Sequence, residues 1–343
     1  MDATRLGRTG LVVTRTAFGV LPLQRVDMDE AERILRRAYD AGITFYDTAR
    51  AYSDSEEKIG RALSGVRDKI ILATKSGATT RNEVLASIET SLRLLKTDHV
   101  DLLQLHNPVP LPNPEDSESS YAGAVEAREK GMVRFIGVSQ HSLSGAVEAV
   151  NSGYYDTLQY PLSCISSAED LAIIDKCRAA DVGLIAMKAL CGGLLTNARP
   201  AFAFLRQYEN VVPIWGMQRM SELEEIIALD ANPPVLDDEM RSIIERDTRE
   251  LASGFCRACG YCLPCPVEVP IPMAARMGLL LRRMPYQQFL TPQWYEMMHR
   301  IENCTDCGHC REHCPYGLDG ADLTKKMLVE YETFYQEKVG AKS

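Results

Sequence analysis

A carboxylate, a phenol, an amine and an imidazole stand in this chain where apolar runs stop. Thr44-Phe45-Tyr46-Asp47 is one such run ending on an acid. Tyr52 follows in a turn of small residues, before Ser55-Glu56-Glu57 open an amphipathic helix with Ser55 as its cap and acids in its first turn. Ile70 to Lys75 ends in an amine, and Val100 to His106 in an imidazole. Singly, each has a bland reading: an Asp closing a turn, a Tyr in a core wall, a solvated Lys, a structural His. Four of them in order on three successive strand ends point to a site at the mouth of a parallel barrel.

Carbonyl reduction needs a proton donor at the developing alkoxide. A phenol, with a pKa of about 10, donates poorly at neutral pH unless a nearby positive charge stabilises its ionised form. Lys75 would supply that charge to Tyr52, and Asp47 would hold Lys75 in place and keep it charged. His106 would hydrogen-bond and orient the substrate oxygen. Alcohol oxidation uses the same groups with Tyr52 as base. No side chain carries a hydride, so it must come from a cofactor.

The elements that must position these groups alternate along the chain. Strand patterns fall at 16–20, 44–48, 70–75, 100–106, 134–139, 157–160, 183–188 and 211–216. Helical patterns lie near 29–41, 55–64, 82–96, 118–130, 142–152, 168–181, 200–209 and 221–229. Eight such repeats predict an α/β fold, a (β/α)₈ TIM barrel with right-handed crossovers. No G-x-G-x-x-G follows the first strand, which weighs against an open Rossmann sheet. Arg5 to Leu11 reads as a small hairpin able to close the barrel's base. The proline-rich link Asn107 to Ser117, after the His106 strand, reads as a substrate wall or as an inert surface loop.

The wording around the four residues (FYDTARAYSDSE, LATKSG, DLLQLHN) resembles the aldo-keto reductase family, over roughly residues 1–230. The family's Asp, Tyr, Lys and His fall on Asp47, Tyr52, Lys75 and His106. The resemblance implies a nicotinamide cofactor, NADP or NAD, and a small carbonyl or alcohol substrate. It places the nicotinamide carboxamide on Ser139, on Gln140 (where Asn is usual) and on Gln159. Met187 stands where a tyrosine usually stacks on the ring, Lys188 where the pyrophosphate would pass, and Gly19 and Gly216 at the ends of the first and eighth strands. The eighth strand lacks the Lys-Ser pair by which many relatives hold the adenosine 2′-phosphate. Arg219 could substitute, or be a helix-end surface charge.

Eight of the eleven cysteines crowd into a second region. Cys256-x₂-Cys259-x₂-Cys262-x₂-Cys265-Pro precedes Cys304-x₂-Cys307-x₂-Cys310-x₃-Cys314-Pro, and the second run has the spacing of bacterial ferredoxins. By that resemblance, Cys256, Cys259, Cys262 and Cys314 would hold one [4Fe-4S] cluster. Cys304, Cys307, Cys310 and Cys265 would hold another. Two tetrahedral zinc sites are the competing reading. Residues 236–251, 273–283 and 292–302 read as helices, and Leu323, Met327, Tyr331 and Phe334 share a face suited to docking. The domains are therefore expected at 1–235, the barrel, and 236–343, a helical dicluster ferredoxin-like unit. Cys164 and Cys177 read as core thiols and Cys191 as near the cofactor; His99, His141, His299, His309 and His313 read as surface groups.

A formal charge of −9 and the lack of a basic run argue against non-specific nucleic-acid binding. The longest apolar run is too short to span a bilayer, and Met-Asp-Ala-Thr-Arg lacks a hydrophobic signal region, so a cytoplasmic location is expected. Three functions fit. The barrel is a nicotinamide-dependent oxidoreductase whose clusters exchange electrons with a ferredoxin-type or flavoprotein partner or tune the site; or the clusters are structural or redox-sensing beside an ordinary reductase. In the third, the barrel is a non-catalytic binding module and the clusters dominate in a redox-sensing or electron-transfer protein.

Overall fold

Short runs rich in β-branched and aromatic residues form the strands of a closed parallel barrel, buried on both faces. In chain order they are β3 (Ala17–Gly19), β4 (Phe45–Asp47), β5 (Ile71–Ser76), β6 (Val100–His106), β7 (Val133–Ser139), β8 (Thr157–Pro161), β9 (Gly183–Met187) and β10 (Val211–Gly216). β10 pairs with β3, which closes the ring. An antiparallel hairpin of β1 (Ala3–Arg5) and β2 (Val12–Thr14) precedes it. Leu6, Leu11 and Val13 of the hairpin join Phe45, Leu102, Ile185 and Val212 in one apolar cluster, so the hairpin plugs the barrel's base. Gly7, at φ +51°, lies so near the start of β9 that a Cβ there would collide with the Gly183 backbone.

Eight helices follow the strands: α1 (Met28–Asp40), α2 (Ser55–Leu63), α3 (Arg81–Leu95), α4 (Ser120–Glu129), α5 (Leu143–Ser152), α6 (Ala168–Ala179), α7 (Ala198–Arg206) and α8 (Met220–Ala231). Side chains of Asp27, Thr80, Ser119, Ser142 and Ser167 cap α1, α3, α4, α5 and α6 by accepting an N–H of the first turn. α2 departs from the expected serine cap. Asp54 takes the cap position, and Ser55, inside the helix and buried, shares a 2.5 Å hydrogen bond with Thr48.

The described residues are 1–251, 255–283 and 286–339 of this computed structural model. The chain divides into Met1–Ala189 with Ala198–Arg241, and Leu190–Asn197 with Ser242–Ser343. The expected boundary at 235/236 thus lies inside the first unit, and the segment after β9 joins the second. Positions 252–254, 284–285 and 340–343 of the expected 236–343 domain lie outside the described residues. The second unit contains α9 (Asp238–Leu251, from Ser242 onward), α10 (Ile271–Ala274), α11 (Met277–Arg283), α12 (Pro292–His299), α13 (His309–Glu312) and α14 (Gly320–Lys338). The expected helix at 273–283 is broken in two around Ala275, and that at 292–302 ends in a 3₁₀ turn, Arg300–Asn303. α14 docks by the expected face: Tyr331 is buried and donates to Phe289 O at 2.8 Å, while Met327 Sδ accepts from Gly278 N. Among the described residues no helix is long and apolar enough to cross a membrane.

Candidate functional site

Parallel strands bring their C-terminal ends to one rim, and the four singled-out residues meet there. Asp47 ends β4, Lys75 sits one residue before the end of β5, and His106 ends β6. Lys75 Nζ donates to Asp47 Oδ2 at 2.6 Å and to Thr48 O at 2.7 Å, with both charged side chains almost wholly buried. The ammonium lies 5.1 Å from the centroid of the Tyr52 ring. The same ring meets His106 edge to face, centroids 5.8 Å apart.

Two buried amides complete the cradle. Gln104 Nε2 donates to Asp47 Oδ1 at 3.0 Å and to Gln159 Oε1 at 2.7 Å, and Gln159 Nε2 donates to Asp47 Oδ2 at 3.4 Å. Gln104 was missed from sequence, although its spacing marks it. It stands two residues before His106 in a leucine run, hence on the same face of the strand. Gly137 of the neighbouring strand packs against both Thr157 and Gln104, since a Cβ there would collide with Thr157 Oγ1 and lie 3.2 Å from Gln104 Cγ. Glu56, by sequence only a helix-start acid, is a second such residue. It is buried, accepts from Thr74 Oγ1 at 2.7 Å and pairs with Arg50, bracing β5 beside Lys75.

Burial governs the protonation states. It pushes the Asp47 carboxyl up and the Lys75 ammonium down, and their mutual contact opposes both. Burial, then the charge of Asp47, raises the Tyr52 phenol above its ordinary value. Tyr52 is therefore protonated at neutral pH, and the lowering expected from Lys75 gives way in this arrangement to burial and to the charge of Asp47. Burial, then the charges of Lys75 and Lys188, pushes His106 down to about 3, so its imidazole is neutral. The rim thus holds a protonated phenol, a neutral imidazole and a buried cation within one cluster, a set suited to delivering a proton to an oxygen.

The expected cofactor contacts divide. Lys188 follows β9 at φ +61°, with its charge felt at His106. Gly19 and Gly216 end adjacent strands, Gly19 buried and Gly216 exposed. Ser139 and Gln140 are turned to the protein: Ser139 Oγ accepts from Asn107 N at 3.1 Å, and Gln140 Nε2 donates to Pro108 O at 2.9 Å. They anchor the start of the proline-rich link, where Asn107 N also donates to the backbone O of Ser139 on β7 at 3.1 Å. Met187 is buried in the interior apolar cluster. Arg219 is exposed and pairs with Glu222 at 3.7 Å, and Glu222 also accepts from the Gln218 and Arg219 N–H groups, so the start of α8 is satisfied internally.

In the second unit Cys265, Cys304, Cys307 and Cys310 line one cavity with Val269 and Ile271. Cys256 lies within electrostatic reach of Cys259 and Cys314, and Cys262 of Cys256, Cys259 and, from the other run, Cys310. None of these eight is in a disulfide. Backbone N–H groups of Ala258 and Leu318 point at the sulfurs of Cys256 and Cys314, each at 3.4 Å. Burial pushes the Cys262 thiol up to about 12 and raises Cys256 and Cys310. So crowded a set of thiols ionises only when a cation compensates it.

Cys164, Cys177 and Cys191 are buried. Not all the histidines are surface groups. His141 is only 6% exposed, and its backbone N–H donates to Asn107 Oδ1 at 3.0 Å. His299 stacks on Tyr295, centroids 4.3 Å apart, and both His299 and His309 bury Nε2.

Residues 16–203, more than half of the chain, match the Aldo/keto reductase family, and residues 255–318 match a 4Fe-4S dicluster domain. The chain is 30% identical over 216 residues to aldo-keto reductase YhdN of Bacillus subtilis (strain 168), covering 57% of this chain and 64% of that protein. It is 30% identical over 220 residues to L-galactose dehydrogenase of Arabidopsis thaliana, covering 58% and 69%. In fold it is similar to the holo form of aldo-keto reductase AKR11C1 from Bacillus halodurans, with a TM-score of 0.63 and 22% identity over 72% of this chain and 96% of the other. With the barrel, the rim and the matched span in agreement, this chain belongs to the aldo/keto reductase family and carries a 4Fe-4S dicluster domain at its C-terminal side.

Proposed function

We propose that the barrel interconverts a small carbonyl and its alcohol with a nicotinamide cofactor, Tyr52 acting as the proton donor in reduction. The buried Lys75–Asp47 pair carries this reading, because its cation stands 5.1 Å from the centroid of the Tyr52 ring and would favour a phenolate there. A nicotinamide bound at this rim would supply the hydride. Lys188, with Gly216 free of a side chain, suits the anionic length of a dinucleotide. Tyr52 gives its hydroxyl proton to the oxygen as negative charge builds there, and Lys75 stabilises the phenolate left behind. Asp47, held by Gln104 and Gln159, keeps Lys75 charged and fixed. Neutral His106 orients the substrate oxygen by hydrogen bonding. In alcohol oxidation Tyr52 takes the proton back.

The second unit is read as two [4Fe-4S] clusters, one on Cys256, Cys259, Cys262 and Cys314 and one on Cys265, Cys304, Cys307 and Cys310. The cavity lined by the second set supports this, since it joins Cys265 to the distant run as interleaved ligation requires. Zinc would draw four sulfurs to about 3.8 Å from one another, given a Zn–S bond of about 2.3 Å. The described residues hold one trio of ligand atoms within 4.8 Å of one another, and it contains no cysteine: His299, Glu302 and Glu332. Gly320 adds support, because a Cβ there would lie 3.1 Å from Cys310 Sγ. Clusters held on these cysteines would supply one-electron chemistry.

The test is an anaerobic comparison of the holo-protein with Tyr52→Phe on an aldehyde panel, using NADH and NADPH in turn. Loss of reduction with the cluster absorbance intact supports the reading. Undiminished reduction by the variant refutes it.

A further inference from the structure

One polar side chain in the cysteine cavity has a nitrogen to spare. His309 lines that cavity beside Cys265, Cys304, Cys307 and Cys310. Its Nε2 is buried and has no hydrogen-bond partner among the described residues. A ring nitrogen buried in this way is costly unless something bound there supplies the partner. The ring is also held in place. It opens α13 after Gly308 at φ +82°, its face lies against His313 with centroids 4.1 Å apart, and His313 Nδ1 contacts His309 O at 2.8 Å. Four thiolates already complete the ligation of a cube, so the imidazole is not needed as a ligand.

We propose that His309, with its proton on Nε2, donates a hydrogen bond to the iron–sulfur cluster held by Cys265, Cys304, Cys307 and Cys310 and raises that cluster's reduction potential. The inference rests on the two-cluster reading above. A reduced cluster carries one more negative charge than an oxidised one, and a donor aimed at it stabilises the reduced state more. His309 acts here as a positioning and tuning residue of one cluster, and leaves the other alone.

The experiment uses the full chain purified anaerobically, as wild type, His309→Leu and His309→Gln, with iron and sulfide analysis on every sample. Redox titrations followed by electron paramagnetic resonance read the midpoint of each cluster. The leucine variant should lower one midpoint and leave the second in place. Glutamine, which can put an amide N–H near the lost Nε2, should fall between leucine and wild type. In parallel, reduced wild type labelled with ¹⁵N-histidine should show a nitrogen coupling by pulsed resonance that His309→Gln lacks. Unchanged midpoints in the leucine variant, or an equal shift of both, overturn the proposal. Should that variant lose its iron, the labelled wild type decides, and no histidine coupling overturns it. Wild type with two cubes of iron and sulfide but no coupling sinks the His309 role alone, whereas wild type without iron sinks the cluster reading with it.

Discussion

Replacing Lys75 with methionine keeps the reach of the side chain and removes its charge. The ammonium stands 5.1 Å from the Tyr52 ring centroid. Two unit charges at that separation, in an effective dielectric of about 20, interact by roughly 3 kcal/mol, or about two-hundred-fold in rate. Asp47, left unpaired, disfavours the phenolate further, so the two effects share a sign. We expect kcat for aldehyde reduction to fall by about two-hundred-fold or more with KM little changed, because the charge develops only on the way to the transition state. Breaking the buried pair also costs about 3–5 kcal/mol of stability. The double variant Asp47→Asn with Lys75→Met relieves the stranded carboxylate and should regain much of that stability while staying slow. The assay is steady-state oxidation of the nicotinamide, with far-UV circular dichroism to show that each variant is folded. A folded Lys75→Met enzyme within tenfold of wild-type kcat would refute the reasoning.

Four further outcomes follow from the same geometry. His106 is held down to about 3 from an ordinary 6.5, so between those values the unfolded chain takes the proton and the folded one does not. Stability should therefore be full above pH 6.5 and fall on acidification by up to about 1.4 kcal/mol per unit, a slope that urea unfolding should find missing in His106→Asn. Gln104→Leu strips a donor from Asp47 and should cost about 1–3 kcal/mol in the same assay, with a smaller loss of rate than Lys75→Met. Gly320→Val should crowd Cys310 and lower the iron content per chain while leaving aldehyde reduction by the barrel in place. Stripping iron with an oxidant and a chelator should reduce helical dichroism from the second unit and spare the barrel's catalytic rate.

Much of the barrel was legible because its signals are local. Each strand is a short apolar run, each helix has its own periodicity, and five of the eight helices carry a capping side chain where a cap belongs. Asp47, Lys75 and His106 could be found because parallel topology puts every strand's end on one rim. Gln104 was legible by its parity with His106, yet a single amide in a leucine run reads as an exception until its partners are known. Ser139 and Gln140 illustrate what local pattern cannot give. Their side chains hold the link that begins at Asn107, a contact set by the neighbouring strand. Likewise, nothing in the stretch Leu190–Asn197 signals that it clusters with the cysteine region, since that grouping depends on contacts such as Arg276 Nη1 to Gly192 O at 3.1 Å.

The claim that hydride passes straight from nicotinamide to substrate in the barrel is tested most directly by isotope. The anaerobic holo-protein would reduce an accepted aldehyde with nicotinamide carrying deuterium at the transferable C4 position, in ordinary water, and the alcohol would be analysed by mass spectrometry. The account predicts one deuterium on the carbinol carbon of every product molecule. An unlabelled alcohol, its carbon-bound hydrogen drawn from water, would contradict it.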